Sequence, residues 1–337
     1  MIEFREDGLV FTAPEVHPEA VLRVELERTL RIPDDDRSYP LPPGLGAFPM
    51  RHVDDHADRL GPSWLRRGGV MVPMYQSEAL WISFHSPEAY PWAVQVAAGK
   101  VNAVTGEPWR EELGREPQDY VVVPGQPWLD GYCVAEGQVR QFVAMPLGSE
   151  YTVEEQLTGR AEHGGLQISA VPLKAEVWRR RRMEFRRTIR RGPLALDMAL
   201  CVSEAPASMG LAAGGRMDQE IYRDRESIEN WDQEARNRCF VHLANALVWR
   251  SITGDEPPAT PVTVEEYARS GLPWFEWYDG DREALAGAAA LAGVKSVAEM
   301  AREKGDAPPV GGASTTPGSV VRLGPERGPH EVRQEGF

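Results

Sequence analysis

The sequence predicts an α+β protein in which β-structure predominates, with an antiparallel sheet that forms a sandwich or a barrel-like core and a few short helices. The apolar runs between residues 70 and 172 are too short for ordinary helices and are rich in aromatic and β-branched residues. Two pairs of runs flank short loops that contain glycine, as in hairpins. Because an isolated hairpin buries too little apolar surface to persist in water, we expect these runs to pair in one sheet system.

The chain of 337 residues is long enough for one large domain or two ordinary ones. We predict an N-terminal extension over residues 1–18 and one β-rich body over residues 19–300, with a sub-boundary left open near the basic segment 174–191. From residue 305 onward, 12 of 33 residues are Gly or Pro and apolar periodicity is lost. Residues 301–337 are therefore predicted to be a disordered tail.

A strand is predicted near the N-terminus, where Leu22, Val24 and Leu26 alternate with charged residues. The spacing of Leu22, Leu26 and Leu30 also suits a helix, so a helix stays open as the alternative. Further along, the segment 48–65 is predicted to hold a short helix that a Gly-Pro pair interrupts.

Two hairpins are predicted within the β-rich block. The first has its turn at Ala98-Gly99, because glycine adopts the positive φ that a tight turn requires. The second has a two-residue loop at Glu136-Gly137, and this loop would place Cys133 opposite Arg140. The run 167–172 supplies a further strand.

Several short elements are predicted after this block. A helix that begins at Thr152 has acidic residues in its first turn, where the positive end of the helix dipole favours them. A strand over residues 239–243 is predicted to continue through Trp249. Three more helices are predicted, two of them with N-terminal capping residues: at Thr263, at Ser296 and over residues 281–292.

The net charge of −14 argues against a general electrostatic attraction to nucleic acid or to anionic lipid. Residues 174–191 are an exception, because they contain nine Lys or Arg and two Glu. One interpretation of this segment is an arm that docks onto nucleic acid or onto an anionic membrane surface. The alternative is a solvated helix or loop that satisfies the chain's own acidic faces. The docking hypothesis assigns the contact to six arginines: Arg179, Arg180, Arg181, Arg182, Arg186 and Arg187.

The three cysteines, Cys133, Cys201 and Cys239, are widely spaced and fit neither a disulfide framework nor a metal knuckle. The N-terminus is acidic where a signal peptide is basic, and no apolar run approaches the length that crosses a bilayer. We therefore expect a soluble, cytoplasmic protein without a transmembrane span. No cofactor is predicted, since the glycine-rich stretch 207–223 fits neither a P-loop nor GxGxxG.

His52 and His56 would lie on one face of a helix in the segment 48–65, which is a workable geometry for two metal ligands. Asp55 stands where an inverted zincin motif has glutamate, but its side chain is one methylene shorter. The alternative is that both are surface histidines, because the sequence nominates no third ligand.

Five further residues are candidates for chemistry. Cys133 opposite Arg140 would be a thiol beside a cation, which lowers the pKa of a thiol, although a buried structural cysteine is the alternative. Glu162 lies beside His163 and could serve as its acid or base partner. Asp130 is a further candidate carboxylate in the same β-rich block. The chain lacks GxSxG, so no serine nucleophile is indicated.

Several long sequence segments of the chain resemble those of a family of uncharacterised proteins for which no activity is established. The resemblance extends over about residues 23–297, and it implies no catalytic residue, cofactor or partner. The histidine spacing at 52–56 and the arginine run are not part of the shared pattern. These segments include VPMYQSEALWISF (72–84), PQDYVVVPGQPWLDG (117–131), RQFVAMPLG (140–148) and GLPWFEWYD (271–279).

These observations favour a non-catalytic cytoplasmic interaction or structural protein that acts through an unidentified protein partner or through self-association. The alternative is a hydrolase with a cleft in the central β block. Such an enzyme would use the two histidines with a metal, or a carboxylate pair near Asp130, Arg140 and Glu162.

Overall fold

The computed structural model describes residues 1–35, 37–185, 208–277, 282–307 and 316–323. Over these residues the fold is predominantly antiparallel β-structure with a few short helices, which confirms the predicted fold class. The strands are β1 (Ile2–Arg5), β2 (Gly8–Thr12), β3 (Val21–Thr29), β4 (Ser38–Tyr39), β5 (Gly44–Ala47), β6 (Arg51–His52), β7 (Val70–Met74), β8 (Ala79–His85), β9 (Trp92–Ala98), β10 (Val101–Asn102), β11 (Val121–Val123), β12 (Trp128–Leu129), β13 (Gly131–Ala135), β14 (Gln138–Pro146), β15 (Leu166–Pro172), β16 (Ser208–Asp218), β17 (Asn237–Asn245), β18 (Trp274–Trp277) and β19 (Val320–Leu323).

The helices are short and lie between or after the strands. The α-helices are α1 (Pro62–Arg67), α2 (Val153–Thr158), α3 (Ala175–Phe185), α4 (Ala246–Thr253), α5 (Val264–Arg269), α6 (Ala289–Ala292) and α7 (Val297–Lys304). Single turns of 3₁₀-helix occur at Asp54–His56, Ile228–Asn230 and Gln233–Ala235. Among the described residues, no helix is long and apolar enough to cross a membrane.

Seventeen strands of the described residues join in one sheet. The main path of pairing runs β1-β2-β3-β8-β14-β16-β17-β15-β9-β11. The pairs along this path are antiparallel, whereas β4 runs parallel to β16 and β7 runs parallel to β17. Strands β18 and β19 form a separate parallel pair.

The two halves of this sheet contribute to the same hydrophobic core cluster, and two smaller clusters, around Val143 and around Trp249, lie apart from it. Strands β16 and β17, where the halves meet, are joined through two register pairs near the start of β16. Side chains from either side of this junction, such as Leu26 of β3 and Val96 of β9, belong to the same buried cluster. The sheet therefore folds over a shared core, as in a sandwich.

Strand β3 settles the alternative left open by the leucine spacing. Its even-numbered residues Leu22, Val24 and Leu26 are buried, and the odd-numbered residues between them are half-buried. This period of two is the signature of a strand with one face in the core. The residues before it also belong to the sheet, because β1 and β2 lie within the segment predicted to be an extension and β2 pairs with β3.

Both predicted hairpins form, each with a change of detail. The first turn lies at Gly99-Lys100, one residue later than predicted, with φ of 58° and 66° as in a type I′ turn. The second loop is at Glu136-Gly137 as predicted, but a β-bulge between Cys133 and Ala135 shifts the register. Arg140 therefore pairs with Tyr132, and the prediction that Cys133 lies opposite Arg140 is wrong.

Capping residues predict helix starts well in this chain. Thr152, Thr263 and Ser296 each form a capping box at the start of α2, α5 and α7. The predicted continuation of a strand through Trp249 is wrong, because the Asn245 side chain caps α4 by accepting from the backbone of Leu247.

Two predictions concern segments that the structure describes in part. The helix predicted over 281–292 forms over its last four residues as α6, and residues 282–288, which include Gly287 with its positive φ of 78°, are not helical. In the predicted tail, residues 301–304 belong to α7 and residues 320–323 to β19. The segments 308–315 and 324–337 lie outside the described residues.

Candidate functional site

A cleft with a volume of about 470 Å³ lies on the outer face of the strands β9, β15 and β17. Leu166 and Ile168 of β15 belong to the buried core cluster, so the alternate residue Gln167 belongs to the opposite face. Gln167 is in register with Ala97 of β9 and Phe240 of β17. The sheet therefore provides the floor of the cleft, and loops provide its walls.

The walls come from the C-terminal end of α1, the β9–β10 turn, the loop after β10 and the loop before β15. Their side chains are mainly basic and aromatic. The residues that line the cleft are Arg67, Lys100, Trp109, Glu111, His163, Gln167, Ile168, Arg238, Cys239 and Phe240.

Lys100 is placed by the turn that it helps to form. Its backbone N–H donates to Oε1 of Gln167 at 2.6 Å, and its carbonyl accepts from the backbone N–H of Trp109 at 2.8 Å. The Lys100 ammonium lies 5.8 Å from the centroid of the Trp109 ring. No ion pair of this ammonium occurs within the described residues, and Lys100 lines the cleft.

Arg67 ties α1 to the opposite wall. Its guanidinium donates from Nη1 to the carbonyl of His163 at 2.9 Å and from Nη2 to the carbonyl of Glu162 at 2.7 Å. The same group lies 5.1 Å from the centroid of the Phe240 ring. Phe240 rests in turn on the buried imidazole of His242, with ring centroids 4.4 Å apart. The cation and the ring are therefore held in one orientation.

His163 is held as a neutral imidazole. Its Nδ1 lies 3.2 Å from Nη2 of Arg67, and an arginine only donates, so Nδ1 accepts and Nε2 carries the proton. Burial lowers the pKa of His163, and the nearby charges of Arg67 and Lys100 lower it further. The ring therefore has no free lone pair with which to act as a base, and its Nε2–H donor lies 3.9 Å from the Glu162 carboxylate.

Glu154 fastens the loop that carries His163. Its buried carboxylate accepts backbone N–H bonds from Glu162, His163 and Gly164 at 3.0, 2.7 and 2.7 Å. Gly99 of the facing turn lies against the same side chain, since a Cβ there would be 2.2 Å from the Glu154 Oε2. A second cavity of about 310 Å³ adjoins here, and Lys100 and His163 line both cavities.

The rim of the cleft carries one ion pair and one thiol. Arg238 is exposed and pairs with Glu111. Burial raises the pKa of the Cys239 thiol to about 12, so the thiol stays protonated at neutral pH. The lining thus has three permanent cations, Arg67, Lys100 and Arg238, and one carboxylate, Glu111.

Of the predicted candidates, His163 lines this cleft and Glu162 lines the adjoining cavity, whereas Asp130, Cys133 and Arg140 lie in other surroundings. The buried Asp130 accepts from Nε2 of Gln219 at 2.6 Å, and burial raises its pKa to about 7. Burial also raises the pKa of Cys133 to about 12, so this thiol is not the reactive group that the predicted register implied.

Arg140 is buried between acidic partners of its own. It lies 3.9 Å from the Asp34 carboxylate and 3.5 Å from that of Glu299, and Nη1 donates to the carbonyl of Gly214 at 3.3 Å. The residues that we predicted to surround one catalytic cleft therefore lie in separate environments.

The geometry predicted for the two histidines is wrong. His52 belongs to β6 and His56 to a 3₁₀ turn, so they do not share the face of one helix. The His52 ring packs edge-on against Phe4, with centroids 5.3 Å apart. Across the described ranges, no group of three or more His, Cys, Asp or Glu side chains is arranged to hold a metal ion.

The basic segment forms α3 as far as Phe185, and part of its charge is paired within the chain. Arg181 forms an ion pair with Glu226, and Arg182 forms one with Glu19. Arg179 and Arg180 are exposed on the same helix. Arg186 and Arg187 lie outside the described residues. The pairs are those expected of a helix that satisfies the chain's own acidic groups.

Five of the lining residues were not predicted from the sequence: Arg67, Lys100, Trp109, Arg238 and Phe240. The available signal was the Gly-Lys pair in the first hairpin turn, followed by a tryptophan nine residues later. Comparison with models of known protein families, with curated proteins and with solved structures finds no match. The resemblance to uncharacterised proteins stays a prediction.

Proposed function

We propose that this protein is a non-catalytic binding protein that takes a small organic anion in the cleft beside Lys100. The observation that carries the proposal is the convergence of three basic side chains and two aromatic rings in one cleft of a chain whose net charge is −14. A pocket of several hundred Å³ with a few convergent polar groups is typical of small-molecule sites.

The state of the titratable groups supports binding over hydrolysis. The Nδ1 lone pair of His163 is already used by Arg67, and the Cys239 thiol is protonated. A general base or a nucleophile needs a free lone pair within reach of the substrate. Asp130 and Arg140, which the hydrolase hypothesis requires, have partners elsewhere in the fold.

We also propose a cytoplasmic location, supported by the free thiols of Cys133 and Cys239. An interaction of α3 with an anionic macromolecule is a second mode of binding, and it would rest on Arg179 and Arg180. The ion pairs of Arg181 and Arg182 favour the cleft over the helix as the main site.

Thermal unfolding with a panel of small organic carboxylates, sulfates and phosphates tests the proposal. At least one class of anion is expected to raise Tm, because a ligand that binds the folded state stabilises it. Lys100→Gln should abolish the increase. Arg110→Gln should keep it, because this substitution removes the same charge from an exposed residue that does not line the cleft.

Two results would overturn the proposal. One is a panel in which no anion raises Tm, or in which Lys100→Gln and Arg110→Gln behave alike. The other is steady release of nitrophenolate from p-nitrophenyl esters that His163→Gln abolishes, because this would make the cleft a catalytic site.

A further inference from the structure

We infer that the anion is a phosphate monoester that carries a planar ring, up to the size of a mononucleotide. This inference rests on the proposed function and names the class of ligand. It follows from the charge balance of the cleft, from the kind of hydrogen-bonding groups that line it, and from its rings and volume.

The charge balance favours a dianion. Arg67, Lys100 and Arg238 contribute three positive charges, Glu111 contributes one negative charge, and His163 is held neutral by Arg67. The residues that line the cleft therefore have an excess of two positive charges, and the carboxylates of Glu154 and Glu162 lie outside this lining, at the adjoining cavity. A phosphate monoester carries nearly two negative charges at neutral pH, because its second pKa is about 6. A carboxylate or a sulfate ester would neutralise half of this excess.

The hydrogen-bonding groups favour an acceptor with several oxygens. The guanidinium and ammonium groups only donate, and the imidazole of His163 offers Nε2–H. Gln167 is already used on both sides, since Oε1 accepts from Lys100 and Nε2 donates to Gly164. Donors thus dominate, and a phosphate presents three strong acceptor oxygens to them.

The aromatic rings and the volume favour more than an inorganic ion. Trp109 and Phe240 are half-buried in the walls, and the Arg67 and Lys100 cations lie near one ring each. A planar ring beside them would gain stacking contacts without losing the charge contacts. The cleft of about 470 Å³ falls in the range of pockets that enclose drug-sized ligands, so a bare phosphate would leave most of it empty.

Isothermal titration with four matched probes separates these contributions. Phenyl phosphate has both the dianion and the ring, phenyl sulfate has the same shape with one charge less, methyl phosphate lacks the ring, and benzyl alcohol lacks the charge. Phenyl phosphate should bind most tightly, with phenyl sulfate and methyl phosphate each weaker by about tenfold or more. Benzyl alcohol should not bind detectably.

Variants then assign the two parts of the ligand to their residues. Arg238→Gln should weaken phenyl phosphate by about tenfold while weakening the monoanionic phenyl sulfate less. Trp109→Leu should weaken phenyl phosphate and leave methyl phosphate unchanged. Arg110→Gln is the control, and it should bind all four probes as the unmodified protein does.

These experiments distinguish a failure of the inferred ligand class from a failure of the proposed function. If phenyl sulfate binds as tightly as phenyl phosphate, or methyl phosphate binds as tightly, the inferred ligand class is wrong, but the cleft remains an anion site. If Trp109→Leu weakens both phosphates equally, the ring is not recognised there and the inference is also overturned. If none of the three anions binds, the inference falls, and the wider anion panel then decides whether the proposed function falls with it.

Discussion

Two hairpins of the same sheet use their polar side chains in different ways. The β9–β10 hairpin places Lys100 at its turn, where the ammonium faces an open cleft. The β13–β14 hairpin keeps Cys133 and Arg140 buried, and Asp130 just before it is buried as well. The two hairpins resemble each other in sequence, since both are short apolar strands joined by a loop that contains glycine.

The difference lies in whether the fold itself uses the polar groups. The Asp130 carboxylate accepts from Gln219, and Arg140 has a backbone carbonyl and two carboxylates as partners. Lys100, in contrast, contacts the Trp109 ring and lines two cavities. Polar residues with complete internal partners stabilise a fold, whereas those whose donors face a cavity are available to a ligand. Four substitutions test this contrast.

The largest effect is expected from Gly131→Ala in the buried hairpin. A Cβ at Gly131 would lie 1.9 Å from the carbonyl oxygen of Arg140, so the two strands would have to separate. We expect a loss of about 3 kcal/mol or more in the free energy of unfolding, measured with denaturant. Gly137→Ala is the control in the same hairpin. Its nearest atom is 4.0 Å away, so the positive φ of 69° remains as the cost, about 1 kcal/mol. Equal losses would contradict the tight packing described for this hairpin.

A pH-dependent effect is expected from Asp130→Asn. Burial raises the pKa of Asp130 from 3.8 to about 7, so the folded state keeps a proton that the unfolded state releases over this interval. The contribution of Asp130 to stability therefore falls as pH rises between these values, by at most about 1.4 kcal/mol per pH unit. Asparagine does not titrate, so the variant should lose this part of the slope.

The measurement is the free energy of unfolding from about pH 5 to pH 8, compared between the two proteins. The comparison is needed because burial also raises the pKa of Glu78 to about 7, and that slope is common to both. Parallel curves would show that Asp130 is ionised in the folded protein and not held as a buried neutral acid.

The smallest effect on stability is expected from Lys100→Gln and Arg238→Gln in the cleft. Neither side chain is buried, and the ion pair of Arg238 with Glu111 is exposed. Changes within about 0.5 kcal/mol are expected for such positions. A loss as large as that of a buried substitution, measured by the same denaturant titration, would mean that the cleft cations hold the fold together, and the contrast between the hairpins would fail.

The sequence predicts the local elements of this fold well where a single physical signal dominates. The alternation of Leu22, Val24 and Leu26 and the capping residues Thr152 and Ser296 are local signals, and the structure confirms each one. The bulge between Cys133 and Ala135 has no such local signal, and β14 pairs with β16 as well as with β13. The one extra residue at the bulge places Arg140 opposite Tyr132 and not opposite Cys133.

The site was harder to predict because its residues come from distant parts of the chain. Arg67, Lys100 and Arg238 have no shared spacing, and they meet when β9, β15 and β17 align and α1 packs against β17. Glu162 and His163 were named from adjacency alone. That signal found His163 in the cleft and Glu162 at the adjoining cavity, but not the protonation of His163, which depends on Arg67 nearly a hundred residues earlier.

The buried carboxylate of Glu154 has a consequence for recognition. It anchors the loop of His163 through three N–H bonds, and the turn of Lys100 packs against it through Gly99. This one side chain thus sets the distance between the two walls of the cleft before a ligand binds. Binding then costs little entropy for ordering the protein, and selectivity depends on how well the ligand fits a cleft of fixed width. A substitution at position 154 would therefore change the ligand selectivity of the cleft without removing a side chain that contacts the ligand.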